Sequence, residues 1–233
     1  MFNYLQIAKE VVQKTMLLGA AVLFMVSAYA SLGLGKKKSA AASKKILSNK
    51  VTANFLLLNF DRKKFPNVNH IHLHTNGLLL TEKMWNSLSH IHDLIKTIEI
   101  SIDAANEETY KIVRRGGDWN TLIKNLEFIS TIKMNNKNVS FVVQDTNYME
   151  MEDFYILMNK IFKNNINVFF NKITNWGTYT PAEYSIKQIW NESHPEFKMF
   201  LQQLNKINKK YMCTHNMHDI IEKHKLIKKL SII

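Results

Sequence analysis

The sequence predicts an α/β fold in which about four parallel strands alternate with helices, with an N-terminal hydrophobic helix and a helical C-terminal tail. Two observations support this prediction. The chain is 46% hydrophobic, enough to build a core. From residue 52 onward, short β-rich runs alternate with longer helical ones, and the strands begin about 30, 40 and 30 residues apart. Such alternation is typical of βα units around a parallel sheet.

The four predicted strands are short apolar runs rich in β-branched and aromatic residues, each bounded by turn-forming residues. They are "VNHIHLHT" at 68–75, "TIEISID" at 97–103, "NVSFVVQ" at 138–144 and "INVFFNKI" at 166–173.

Helices are predicted between these strands because their apolar residues recur at three- and four-residue spacing. A threonine N-cap precedes the first, and "RGGD" separates the second from the third. They span 81–95, 107–115, 118–133 and 151–164. We therefore predict a βα domain over 52–180 and a lysine-rich helical extension over 181–233.

The N-terminal segment contains no charged residue between Lys14 and Lys36. Residues 16–35 have about the length of a bilayer-spanning helix, so the sequence predicts a hydrophobic helix within 1–35 and a candidate membrane anchor. More lysines follow the segment than precede it, which predicts a cytoplasmic location for the folded domain. Two alternatives stay open: a cleaved signal ending at "AYA", residues 28–30, or a buried helix.

Residues 36–51 are basic and lack apolar periodicity, which predicts a linker. The formal net charge is +12, but the lysines are spread along the chain, which favours a solvated basic surface over a nucleic-acid site. The single cysteine, Cys213, excludes a disulfide framework and indicates a reducing compartment.

Polar residues follow each predicted strand. They are "HTNG" at 74–77, Ser101 and Asp103, "QDTN" at 144–147 and "NKITNWG" at 171–177. The carboxyl ends of parallel strands meet at one edge of a sheet, where ligands of such folds bind. This edge is predicted to hold a polar ligand such as a nucleoside or an amino acid.

The order of these motifs resembles the radical S-adenosylmethionine (SAM) superfamily, in particular the branch whose members carry a SPASM or twitch extension. The resemblance rests on a strand ending "TNG", a strand ending "SID" and the following "EETYKIVRRGGDW". "FVVQDTNYMEMEDF" and "NKITNWGTYTPAEY" extend it, so that it covers roughly residues 55–200.

This resemblance implies a partial barrel in which SAM lies across the strand ends while ligating an iron-sulfur cluster. By motif, Thr75 and Asn76 would line the pocket, Ser101 would bind the ribose or amino-acid part, and Arg114 or Arg115 would pair with the carboxylate. An arginine fork suits a carboxylate, although both arginines could instead stabilise a helix C-terminus. The implied cofactor-binding residues are Thr75, Asn76, Gly77, Ser101, Asp103, Arg114, Gln144 and Asn171, with Asp103 orienting its loop.

The chain also departs from the family pattern. It has neither the C-x-x-x-C-x-x-C motif nor a "GGEP"-like stretch, and one cysteine cannot supply three thiolates. The resemblance therefore implies a degenerate or truncated member that binds SAM but does no radical chemistry as this chain alone. The alternatives are a non-catalytic, membrane-tethered binding or scaffold module, or a broken gene product. The substrate, peptide or small molecule, is left undefined.

Two further features bear on partners and metals. With few strands, the edge of the strand at 68–75 would be open, which predicts that N-terminal helices or a complementing chain cover it. His70, His72 and His74 share one strand face, and Cys213 lies in "CTHNMH". Packed or hydrogen-bonded histidines are the commoner case, so no metal site is predicted.

Overall fold

The computed structural model describes residues 24–30, 43–48, 57–134, 136–175 and 177–230, with backbone alone for 24–30, 43–48 and 225–230. These residues form one seven-stranded sheet in the order β2-β1-β3-β4-β5-β6-β7. Strands β3 to β7 are parallel, while β1 runs antiparallel to both β2 and β3. The strands are β1 Phe24–Ala30, β2 Ser43–Ser48, β3 Val68–Thr75, β4 Ile95–Ser101, β5 Asn136–Val143, β6 Asn167–Lys172 and β7 Thr214–His215.

The described part of the chain contains seven α-helices. They are α1 Glu82–Ser87, α2 Glu107–Val113, α3 Trp119–Thr131, α4 Met151–Ile161, α5 Pro181–Lys187, α6 Phe197–Lys210 and α7 His218–Leu230. Side-chain caps fix several of their starts, since the side chains of Thr81, Asn106, Asp118 and Thr180 each accept a hydrogen bond from a backbone N–H in the first turn.

The α/β class and the four predicted parallel strands are confirmed, and the two-residue β7 adds a fifth. The predicted helix at 81–95 is shorter than expected, because α1 ends at Ser87 and a 3-10 turn, Ser89–Ile91, leads into β4.

The N-terminal prediction needs correction at residues 24–30, which form β1 and not part of a helix. Here β1 pairs with β3, as in the Val26↔Leu73 register, and so occupies the edge predicted to be open. Backbone pairing with that edge offsets the loss of helical hydrogen bonds. Residues 1–23 and 31–35 of the predicted helix lie outside the described residues.

Ser43–Ser48, within the predicted linker, forms β2 on the far side of β1. Among the described residues, none of the helices is both long enough and apolar enough to cross a bilayer. The division of the chain at 35, 51 and 180 stays a prediction.

The two faces of the parallel sheet differ in polarity. Side chains alternate along a strand, so every second residue faces the helices. Ile98, Ile100 and Phe141 on that face are fully buried, and Phe141 packs against Phe154 of α4 with ring centroids 4.8 Å apart. The opposite face carries polar side chains, including His72, Glu99, Ser101 and Ser140, so the apolar core lies on the helix side.

Glu152 joins α4 to α6 through an ion pair with Lys206, a 2.8 Å ion pair with Lys210 and a 2.5 Å hydrogen bond from the Tyr211 hydroxyl. Hydrogen bonds from Lys206, Lys210 and Tyr211 lower the pKa of Glu152 from its usual 4.5 to about 2. A carboxylate with a lowered folded-state pKa stabilises the fold above its unfolded pKa, and this contribution disappears as the pH falls toward the folded value.

Glu152→Gln is therefore expected to lower the free energy of unfolding at pH 7 by roughly 1–2 kcal/mol, allowing for solvent screening. The difference from the unsubstituted protein should shrink between pH 4.5 and about 2. Urea unfolding between pH 2 and pH 7 measures this difference in the free energy of unfolding. Glu127→Gln, at an exposed position on α3, is the matched control. A difference that does not change with pH would contradict the ion-pair explanation.

Candidate cofactor-binding site

A chain of hydrogen bonds crosses three neighbouring strands on the polar face. The Nε2 atom of His74 on β3 lies 3.0 Å from the Oγ of Ser101 on β4, which lies 3.0 Å from the Oγ of Ser140 on β5. The parallel register places Ser101 beside Ser140, which brings their hydroxyls together. These three side chains form a fixed polar row near the carboxyl ends of the strands.

Glu99 adds a negative charge beside this row. Its carboxylate lies 3.3 Å from the Nε2 of His72 and 3.9 Å from that of His74. The hydrogen bond with His72 is the main cause that lowers the pKa of Glu99, and burial partly opposes it. Burial lowers the pKa of His70 on the same face. The polar face therefore presents an ionised carboxylate flanked by imidazoles.

The loop after β4 is built around the buried carboxylate of Asp103. One oxygen accepts a 2.7 Å hydrogen bond from the Val142 N–H, and the other lies 2.5 Å from Nη2 of Arg114. Burial raises the pKa of Asp103, while the Arg114 guanidinium and the Val142 N–H counteract it. Asp103 also has a positive φ of 67°, a conformation that aspartate and asparagine tolerate better than other non-glycine residues.

Two further side chains hold this loop from the β5–α4 connection. Asn147 donates hydrogen bonds of 2.9 Å to the carbonyls of Asp103 and Val142. Glu150 accepts from the Ala105 N–H at 2.8 Å and also bonds the Thr109 hydroxyl at the start of α2. The position of Asp103 is thus set by contacts from residues more than 30 positions away in the chain.

The predicted residues Thr75, Asn76 and Gly77 form a tight turn after β3. The Thr75 hydroxyl accepts from the Gly77 N–H at 3.1 Å, and the Asn76 side-chain oxygen accepts from the Leu78 N–H at 3.2 Å. Asn125 of α3 donates to the carbonyls of Gly77 and Leu78. Thr75 is 1% exposed, so its side chain is buried within the turn, on the side of the sheet that faces the helices.

The remaining predicted residues lie at the ends of β5 and β6. Gln144 is buried, and its side-chain oxygen accepts from the Lys187 ammonium group at 3.2 Å. Lys187 also lies 3.4 Å from the Asp145 carboxylate. Asn171 is half-buried and pairs in register with Val142. The structure therefore brings Ser101, Asp103 and Arg114 into one neighbourhood and links Asp103 to Gln144 through Asn147, whose side-chain oxygen accepts from the Gln144 N–H.

The sequence assigns no role to Glu99, Ser140 and Glu150, and it places His74 and Asn147 among the polar strand-end residues without an individual role. Period-two alternation could have placed His74, Glu99 and Ser140 on the polar face. Nothing local predicts the contacts that Asn147 and Glu150 make, because their partners belong to a different loop.

Gly77→Ala is expected to destabilise the fold by about 2–4 kcal/mol, because left-handed backbone and overpacking both carry a cost. Gly77 has φ +82°, and an added Cβ would lie 2.7 Å from Leu122 Cδ1 and 3.1 Å from Ile100 Cγ2. Gly116 is the matched control, because its φ is +77° and nothing lies within 4 Å of an added Cβ. Gly116→Ala should therefore lose only the stability that corresponds to placing alanine in a left-handed backbone conformation. Equal losses in thermal or urea unfolding would show that packing at Gly77 is unimportant.

The family resemblance implies two bound groups, an iron-sulfur cluster and SAM, and the residues present can be compared with what each group requires. Cys213 is the one cysteine of the chain, and burial raises its pKa to about 11, which disfavours the thiolate. Among the described residues, no three His, Cys, Asp or Glu side chains converge as a metal site requires. The residues therefore do not fit a cluster held by three thiolates.

The residues do fit a hydrogen-bonding ligand that carries a carboxylate, such as SAM. While Nη2 of Arg114 contacts Asp103, its Nε is buried and has no hydrogen-bond partner among the described residues. The Arg114 side chain as a whole is 28% exposed, so a ligand carboxylate can reach guanidinium N–H groups other than the buried Nε.

The parallel strands carry helices on one face and polar side chains on the other, an α/β arrangement consistent with a partial (β/α) barrel. The sequence profile described as the radical SAM superfamily matches residues 5–158, about two thirds of the chain, and the chain belongs to this superfamily. Members generally bind SAM and an iron-sulfur cluster.

One curated relative is GTP 3',8-cyclase of Clostridium botulinum (strain Okra / Type B1). It is 32% identical over 102 residues, which cover 43% of this chain and 31% of the relative. The match thus spans less than a third of the length of that curated relative.

Proposed function

We propose that this chain binds SAM at the carboxyl ends of β3 to β6 and does not carry out radical chemistry by itself. The observation that supports this most directly is the partly exposed guanidinium of Arg114, which Asp103 holds in place beside the strand end of Ser101. Assignment to the SPASM or twitch branch is part of the same proposal.

In this proposal, each residue of the loop has a separate task. Arg114 binds the SAM carboxylate, and Asp103 holds the guanidinium in place through its 2.5 Å contact. Ser101 presents its hydroxyl to the ribose or amino-acid part, oriented by His74 and Ser140. Asn76, Gly77 and Asn171 form the neighbouring walls of the site.

Bound at a reduced iron-sulfur cluster, SAM is the radical source of this superfamily. That chemistry needs cluster ligands that Cys213 alone cannot supply. For the same reason, we do not extend the cyclisation named in the C. botulinum relative to this chain. The substrate class stays undefined in this proposal.

Calorimetric titration of SAM into the full-length chain, purified without iron-sulfur reconstitution, tests the proposal. Saturable one-to-one binding is expected, because Arg114 and Ser101 do not depend on a cluster for their positions. Absence of binding in a sample with a cooperative unfolding transition would overturn it and favour the alternative of a scaffold module. S-adenosylhomocysteine, which keeps the carboxylate and ribose, should compete with SAM.

A further inference from the structure

The opposite edge of the sheet contains a cleft that the proposed SAM site does not use. It lies at the amino ends of β4 and β5, between the turn after α1 and the end of α3, and has a volume of about 520 Å³. This volume is within the range of small-molecule sites, roughly 300–1,000 Å³. Ile95 and Ile132 supply apolar lining, and Lys96 and Lys133 supply charge.

One wall of the cleft is a rigid aromatic pair. The rings of Trp85 and His92 are stacked with centroids 4.1 Å apart and an interplanar angle of 16°. A 2.8 Å hydrogen bond between the Nε2 of His92 and the Trp85 carbonyl fixes this arrangement. Because Trp85 is 9% exposed, most of its surface is already packed and the wall is preformed. A preformed wall reduces the entropy cost of binding.

The charge of the cleft is positive. Among the described lining residues, Asp93 is the acidic one. Arg62 neutralises it through a bidentate ion pair, in which Nη1 lies 3.0 Å from Oδ2 of Asp93. Within the described ranges, neither Lys96 nor Lys133 forms an ion pair with a carboxylate. The backbone carbonyls of Ser130, in the last turn of α3, and of Ile132, just after it, already accept hydrogen bonds from the buried Lys137. Two positive charges therefore remain for a ligand.

We propose that this cleft binds a small anion that carries a planar ring, of the nucleoside monophosphate class. Lys96 and Lys133 would contact the phosphate, and the ring would lie along the Trp85–His92 pair and the apolar lining. This site lies at the strand edge opposite Ser101 and Asp103, and the proposal stands independently of SAM binding.

Titration of AMP into the full-length chain at low salt tests the site by calorimetry and tryptophan fluorescence. Saturable binding is expected, and the Lys96→Gln/Lys133→Gln double variant should weaken it at least tenfold. The double variant Lys124→Gln/Lys160→Gln removes the same charge from exposed helix positions and should bind AMP normally. Inorganic phosphate, which lacks the ring, should bind more weakly than AMP.

AMP shares its adenosine part with SAM, so the two sites must be separated. Arg114→Gln should leave AMP binding unchanged, and the Lys96→Gln/Lys133→Gln variant should leave SAM binding unchanged. Absence of AMP binding, equal weakening by both lysine double variants, or loss of AMP binding in an Arg114→Gln protein that keeps its cooperative unfolding transition would each overturn the cleft proposal. None of these results would by itself decide whether SAM binds.

Discussion

Asp103→Ala is expected to lower the free energy of unfolding by about 3–5 kcal/mol, because it leaves a partly buried guanidinium without its partner. The substitution also removes the acceptor of the Val142 N–H and places alanine at φ +67°. All three effects act on the same loop. Asp103 is only 6% exposed, so water cannot replace the contacts that the carboxylate makes.

Urea unfolding of three variants measures this effect and separates its parts. Asp103→Asn keeps an acceptor and tolerates the positive φ, so it should lose less than Asp103→Ala. Asp219→Ala is the control, because Asp219 contacts Lys172 at 3.3 Å with a side chain 69% exposed, and surface pairs contribute little. If Asp103→Ala and Asp219→Ala differ by less than 1 kcal/mol, the buried pair with Arg114 does not stabilise the fold.

The parallel sheet could be predicted because its signals are local. Val68–Thr75 and Asn136–Val143 carry short alternating runs with turn residues at their ends, and helical spacing separates them. Residues 24–30 could not be assigned in this way. An apolar run fits a helix or a strand equally well, and pairing with β3, more than 40 positions further along, decides between them.

The candidate site could be predicted as a location but not as a set of contacts. Strand ends are visible in the sequence, which places Ser101 and Asp103, whereas Arg114 follows only from the family resemblance. Their partners are 39 positions away for Ser140 and 44 for Asn147, separations at which no periodicity applies. The contact of the Thr75 hydroxyl with the Gly77 N–H lies within one turn, and the family resemblance by which Thr75 is assigned to the pocket does not predict it.

Arg114→Gln is expected to weaken SAM binding at least tenfold, because a charge-assisted hydrogen bond to a carboxylate contributes roughly 1.5–3 kcal/mol. Glutamine keeps much of the length of the side chain but lacks the positive charge and the paired N–H donors of the guanidinium. The substitution also leaves the Asp103 carboxylate without its 2.5 Å partner, so stability must be measured beside affinity.

Two further variants assign the loss to binding. The double variant Asp103→Asn/Arg114→Gln has no unpaired buried charge, so it should recover stability without recovering SAM affinity. Arg115 is exposed and forms no ion pair with a described residue, and Arg115→Gln should leave affinity within twofold of the unsubstituted protein. If Arg115→Gln weakens binding as much as Arg114→Gln, the carboxylate is held by a different arginine or by charge alone. Full affinity in a folded Arg114→Gln protein would show that Arg114 does not bind the ligand carboxylate.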